Sequence, residues 1–154
     1  MFAMASMNSD DMHRLLGELL VDGEEYEAQV WASVIMAGPS YYAISRLSCA
    51  ERTEPSMMPL TSAYSYVGLT RNHLNLAIIN AFRVHEVMNV LSIPLDQISS
   101  VRQGGMLAGK MLQISCGKSK MQLEFSDFTA ESNERAQADD VSRIMRGLMT
   151  LGYR

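Results

Sequence analysis

Between Ala63 and Phe125 the chain alternates apolar and polar residues in short runs, and the runs are separated by turn formers. Tyr64–Val67, His73–Ile79, Val87–Ile93, Ile98–Arg102, Met111–Cys116 and Met121–Phe125 read as six strands. Asn80, Pro94, Asp96, Gly104, Gly105, Gly109 and Gly117 break the series. Leu74, Leu76 and Ile78 are expected to share a face, as are Val87, Leu91 and Ile93. Leu112, Ile114 and Cys116 form a third such set, and Met121, Leu123 and Phe125 a fourth. Gln113, Ser115, Gln122 and Glu124 take the opposite side, the pattern of half-buried antiparallel strands.

The periodicity is helical on both sides of this region. Ser9-Asp10-Asp11 can cap a helix and meet the positive end of its dipole. Met12, Leu15, Leu16, Leu19 and Leu20 then make one apolar stripe, and Asp22-Gly23 ends it. Near the C-terminus Ala138, Val141, Ile144, Met145 and Leu148 form a second stripe, with Gly152 as a stop. Glu24–Met36 fits a strand and a helix equally well. Gly38–Ser62 holds Pro39, Pro55 and Pro59 with several serines, and reads as a long irregular insert. Tyr41, Tyr42, Ile44 and Leu47 are its candidates for covering core.

The order of these segments resembles that of the bacterial pleckstrin-homology-like domains. Leu19-Leu20-Val21-Asp22-Gly23-Glu24 resembles the family's lead-in to its first strand. Tyr66-Val67-Gly68-Leu69-Thr70-Arg71-Asn72-His73-Leu74 resembles its strand–turn–strand signature, and Leu91-Ser92-Ile93-Pro94-Leu95-Asp96-Gln97-Ile98 its next recurrent element. Leu112-Gln113-Ile114, Leu123-Glu124-Phe125 and the last helix complete the order. The resemblance implies a mainly β fold of seven antiparallel strands in two near-orthogonal sheets, a barrel capped by the C-terminal helix. It assigns Glu24–Met36 to the first strand. Residues 1–23 are then an added N-terminal helix and lead-in, and residues 24–154 the barrel with its 38–62 insert. His73 departs from the family, which more often has Arg or Lys there.

A chain of 154 residues, 47% hydrophobic and 19% charged, is ordinary for one globular domain. No apolar run approaches a membrane span, and Met1–Asn8 lacks the features of a secretory signal, so the expected compartment is cytoplasmic. Cys49 and Cys116 are expected to be reduced thiols there. The net charge of −4 is uneven: residues 1–62 hold nine acids and three bases, residues 63–125 three acids and six bases. So mild a basic balance argues against nucleic acid as a partner. Glu24, Glu25 and Glu27 stand where relatives of this fold place a phosphoinositide-binding basic cluster, which argues against a membrane partner.

Candidate chemistry is sparse. Gly104-x-x-x-x-Gly109-Lys110 approaches a phosphate-binding loop, but Met111 follows where Ser or Thr is needed, and Leu112–Cys116 alternates as a strand. A glycine-rich hairpin is expected instead. His13, His73 and His85 stand apart, with no metal-ligand grouping and no cofactor implied. Asp10-Asp11, Glu24-Glu25 and Asp139-Asp140 read as dipole-compatible or solvated charges. The expectation is a non-catalytic interaction module rather than an enzyme, binding an unknown protein or forming a homo-oligomer. The alternative is a binder of a small apolar or lipid ligand between the sheets. Thirteen methionines are many for this length; methionine fills gaps in a core and also suits adaptable contact surfaces. The candidate interaction surface is the stripe Met12, Leu15, Leu16, Leu19 and Leu20, which must either cover its own barrel or meet a neighbour.

Overall fold

The computed structural model describes residues 9–80, 83–104, 110–125 and 134–151. The elements run α1 (Ser9–Gly17), β1 (Ala28–Met36), α2 (Gly38–Leu47), β2 (Leu60–Leu69), β3 (His73–Asn80) and β4 (Arg83–Pro94). A short 3-10 turn at Leu95–Gln97 leads to β5 (Ser100–Gly104), β6 (Met111–Cys116), β7 (Ser119–Phe125) and α3 (Glu134–Thr150). The seven strands form one antiparallel sheet in the order β4-β3-β2-β1-β7-β6-β5. This is the pleckstrin-homology-like arrangement, unclosed, with a helix at each end of the chain. The two halves meet at β1, which pairs with β2 from Ala28↔Leu69 to Met36↔Leu60 and with β7 from Ala32↔Phe125 to Ile35↔Gln122.

The ambiguous segment before Gly38 is indeed the first strand, though it begins at Ala28. Its alternate residues Ala28, Val30, Ala32, Val34 and Met36 are buried. They belong to the main core with Leu74, Leu76, Ile78, Leu112, Ile114, Leu123 and the α3 residues Val141, Ile144 and Leu148. Burying the three α3 side chains contributes roughly 1.5–3 kcal/mol each, which is what holds a helix across an open sheet.

Residues 38–62 differ from the expected irregular insert. Gly38–Leu47 is helical, with Pro39 in its first turn. Proline suits that position because the first amides of a helix lack partners in any case. Tyr41 and Ile44 join the core, Leu47 packs against it, and Tyr42 stays exposed. Gly38 is required there: a Cβ would stand 2.2 Å from the Met57 carbonyl oxygen.

Residues 48–58 form a strap along the edge strand β4. Cys49 N donates to Ser92 O (2.9 Å), Ser92 N to Ser48 Oγ (2.8 Å), and Thr53 Oγ1 to Val90 O (2.6 Å). An open edge is a template for unwanted pairing, and the strap occupies it.

β4 also corrects a face assignment. Its register with β3 shifts between Ile78 and Ile79, where Ile78 faces Asn89 and Ile79 faces Val87. The extra residue is Met88. It breaks the two-residue period, so Val87 lies with Val90 on the outer face while Leu91 and Ile93 face the main core.

Gly104 pairs with Met111, so β5 and β6 form the expected antiparallel hairpin. Its tip, with Gly105 and Gly109, lies outside the described residues, as do Gly152 and the side chains of Asn80 and His85.

Candidate functional site

The N-terminal stripe forms a second core on the outer face of the sheet. Met12, Leu15, Leu16 and Leu19 pack with Tyr66, Ala77, Ile79 and Val90, and Leu16 is wholly buried. The helix is shorter than expected, ending at Gly17, and Leu19 reaches the sheet from the turn that follows. Leu20 is half-buried. Of the two roles open to the stripe, the structure shows cover for its own sheet. As an exposed docking face it is not available.

Beneath α1 runs a buried polar chain. The Tyr26 hydroxyl donates to Leu16 O and accepts from Asn75 Nδ2 (3.0 Å). Ser92 Oγ donates to Asn75 Oδ1 at 2.6 Å. Burial pushes the Tyr26 phenol up to about 12, against the opposing hydrogen bond from Asn75. Gly68 makes room for this tyrosine, since a Cβ there would stand 2.4 Å from the ring.

At one end of the sheet, the lead-in to β1 and the β2–β3 turn enclose a cleft of about 500 Å3. The Glu24 carboxylate sits there, only 8% exposed, rather than solvated as its sequence suggests. His73 Nδ1 lies 3.0 Å from Oε1, and Thr70 Oγ1 donates to Oε2 at 3.2 Å. Burial raises the Glu24 pKa, but hydrogen bonds from His73, Asn72 and Thr70, with the charge of His73, outweigh it and hold the carboxyl below its ordinary value. A carboxylate so fully engaged ties two segments together. Asp140 in α3 behaves oppositely: burial raises its pKa despite the Arg143 guanidinium 3.0 Å away.

The third feature lies on the other side of the strap. Among the described residues, Met57, Met58 and Met88 are 56%, 64% and 53% exposed. Met58 and Met88 flank a groove of about 260 Å3 whose lining includes Tyr41 and Leu60. Met88 also lines an adjoining depression of about 320 Å3, together with Glu54 and Asn89, which border both. Asn89 builds the groove. Its Nδ2 donates to Tyr41 Oη (2.6 Å) and Glu54 O (2.9 Å), while its Oδ1 accepts from the backbone N–H of Glu54 and Val90. Burial raises the Tyr41 pKa; the Asn89 bond opposes this, and the Glu54 charge adds to it. Glu54, an exposed residue, is itself part of the groove lining.

Sequence reasoning missed this surface. Its signal was present: Met57-Met58 sits in a Pro- and Ser-rich stretch, and Met88 holds a polar slot in an alternating strand. Their meeting depends on the strap.

The alternative ligand site between the sheets coincides with space filled by Val141, Ile144 and Leu148 of α3. Among the described residues no three His, Cys, Asp or Glu side chains are placed to share a metal ion. Cys49, exposed, and Cys116, buried, are both free; burial pushes the Cys116 thiol up to about 11. No helix among the described residues is long and apolar enough to cross a membrane.

No family model and no curated protein matches the chain. Nine chains of solved structures are similar to it, among them two named domains. The hSac2 domain of the human phosphoinositide phosphatase Sac2 is 15% identical, with a TM-score of 0.46 over 93% of this chain and 79% of that one. The N-terminal PH domain of Vps36 is 12% identical, with a TM-score of 0.43 over 82% of this chain and 86% of that one.

Proposed function

We propose that this chain is a non-catalytic protein-interaction module built on a pleckstrin-homology-like sheet. The observation that carries the reading is the pair Met58 and Met88 lining one preformed groove, with Met57 exposed next to Met58 in the chain. They are three of the five large hydrophobic side chains exposed among the described residues. Scattered exposed apolar residues need no explanation, but a cluster around a concavity is the mark of a contact surface. Methionine adapts its shape to a partner at little steric cost.

The partner is a second protein or a second copy of the chain. Cross-linking in the native cell, mass spectrometry and calorimetry with the purified partner test the first case. Light scattering tests the second. A chain that is recovered alone and is monomeric at about tens of micromolar, the scale of modest affinities, overturns the reading.

A further inference from the structure

We propose that the methionine groove takes a short basic segment of a partner protein, with one aliphatic side chain seated between Met58 and Met88 and a flanking Lys or Arg on Glu54. This inference rests on the interaction-module reading and gives it a site and a ligand class.

Size supports the seat. The groove of about 260 Å3 lies between two flexible thioether side chains over Tyr41 and Leu60, enough for one aliphatic anchor and its neighbours but not for a folded domain. The walls are adaptable while the floor is fixed, because the four hydrogen bonds of Asn89 hold Tyr41, the strap and β4 in register. Little ordering then has to accompany binding.

Charge supports the sign of the flank. Two acids, Glu51 and Glu54, and one base, Arg52, lie on the strap. The base lines the adjoining depression rather than the groove, and its Nη1 stands 2.8 Å from Glu18 Oε1. Among the described residues Glu54 is the one charged residue lining the groove itself, so the charge that borders the seat is negative. A basic segment meets it; an acidic one is repelled.

The test uses the full chain labelled with 13C at its methionine methyls, titrated with acetyl-Gly-Arg-Leu-Arg-Gly-amide and with the matching Glu-Leu-Glu peptide. The expected result is saturable shifts at Met58 and Met88, with the basic peptide preferred by about five-fold, the scale of one exposed charge contact. Glu54→Lys reverses the preference and Met88→Lys abolishes the shifts. Both positions border solvent, and unchanged melting of each variant checks its fold. Shifts spread over buried methionines, equal response to both peptides, or no response overturns the inference. A partner identified by cross-linking separates the two levels. If it binds Glu54→Lys and Met88→Lys as tightly as the wild type, the groove is wrong and the interaction module stands. If no partner is found and the chain is monomeric, the module reading itself falls.

Discussion

Glu24 and His73 are 49 residues apart in the chain, and the imidazole Nδ1 of one lies within 3.2 Å of both carboxylate oxygens of the other. The contact ties the lead-in of β1 to the start of β3. Because the Glu24 carboxyl is held below its ordinary value of 4.5, it stabilises the fold above that pH, and the contribution drains as pH falls through the lower folded value. Glu24→Gln is expected to cost about 1.5–3 kcal/mol at neutral pH, the range for hydrogen bonds to a charged group. The gap between wild type and variant should close below pH 4.5. Urea denaturation at several pH values measures it, and a gap independent of pH would show that the carboxylate charge contributes nothing.

Tyr26→Phe removes the hydroxyl joining α1 to Asn75. A buried amide left without its partner costs about 1–3 kcal/mol. The phenol also has a pH signature. Its folded value of about 12 lies above the ordinary 10.0, so its contribution is present below pH 10 and is lost as pH rises toward 12. Alkaline destabilisation in that window should weaken in Tyr26→Phe, read by thermal melts at pH 9 and above.

Leu16→Ala should destabilise the chain by about 2–5 kcal/mol, because its side chain is wholly buried on the sheet. Leu16→Asp should unseat α1 and expose Tyr66, Ala77 and Ile79. Hydrogen exchange should rise in β2 and β3 in both variants. Protection unchanged in those strands would mean that α1 does not cover them.

Asn89→Ala should cost about 2–4 kcal/mol, since it strips partners from Tyr41 and from both backbone groups of Glu54. Loosening the strap bares the edge of β4, so aggregation on warming should begin earlier than in a variant equally destabilised elsewhere. Turbidity scans of Asn89→Ala beside Leu16→Ala make that comparison.

The chain should fail to sediment with vesicles containing anionic lipid at physiological salt. Asp22, Glu24, Glu25 and Glu27 line the cleft at the β2–β3 turn, against one arginine, Arg71. In the β1–β2 connection, Arg46 lies 5.7 Å from the Tyr42 ring centroid, and Arg52 is paired with Glu18. Lipid headgroups need several convergent cations. Micromolar binding in a co-sedimentation assay would contradict this.

The strand series, the two amphipathic helices and their order were legible in the residue pattern, because those follow from the local periods of side-chain direction. Leu74, Leu76 and Ile78 could be assigned to one face from spacing alone. The same logic misassigned Val87, because the bulge at Met88 comes from pairing with β3 and leaves no mark in β4 itself. Helix α2 was hidden by Gly38 and Pro39, which signal a loop locally and a helix start once Tyr41 and Ile44 have a core to enter. The stripe from Met12 to Leu20 required burial, but only the tertiary structure chose the chain's own sheet as its cover. The Glu24–His73 contact, the strap on β4 and the methionine groove join segments distant in the chain. Such meetings are set by how the folded surfaces pack and which polar groups they leave to be satisfied, and no local pattern encodes them.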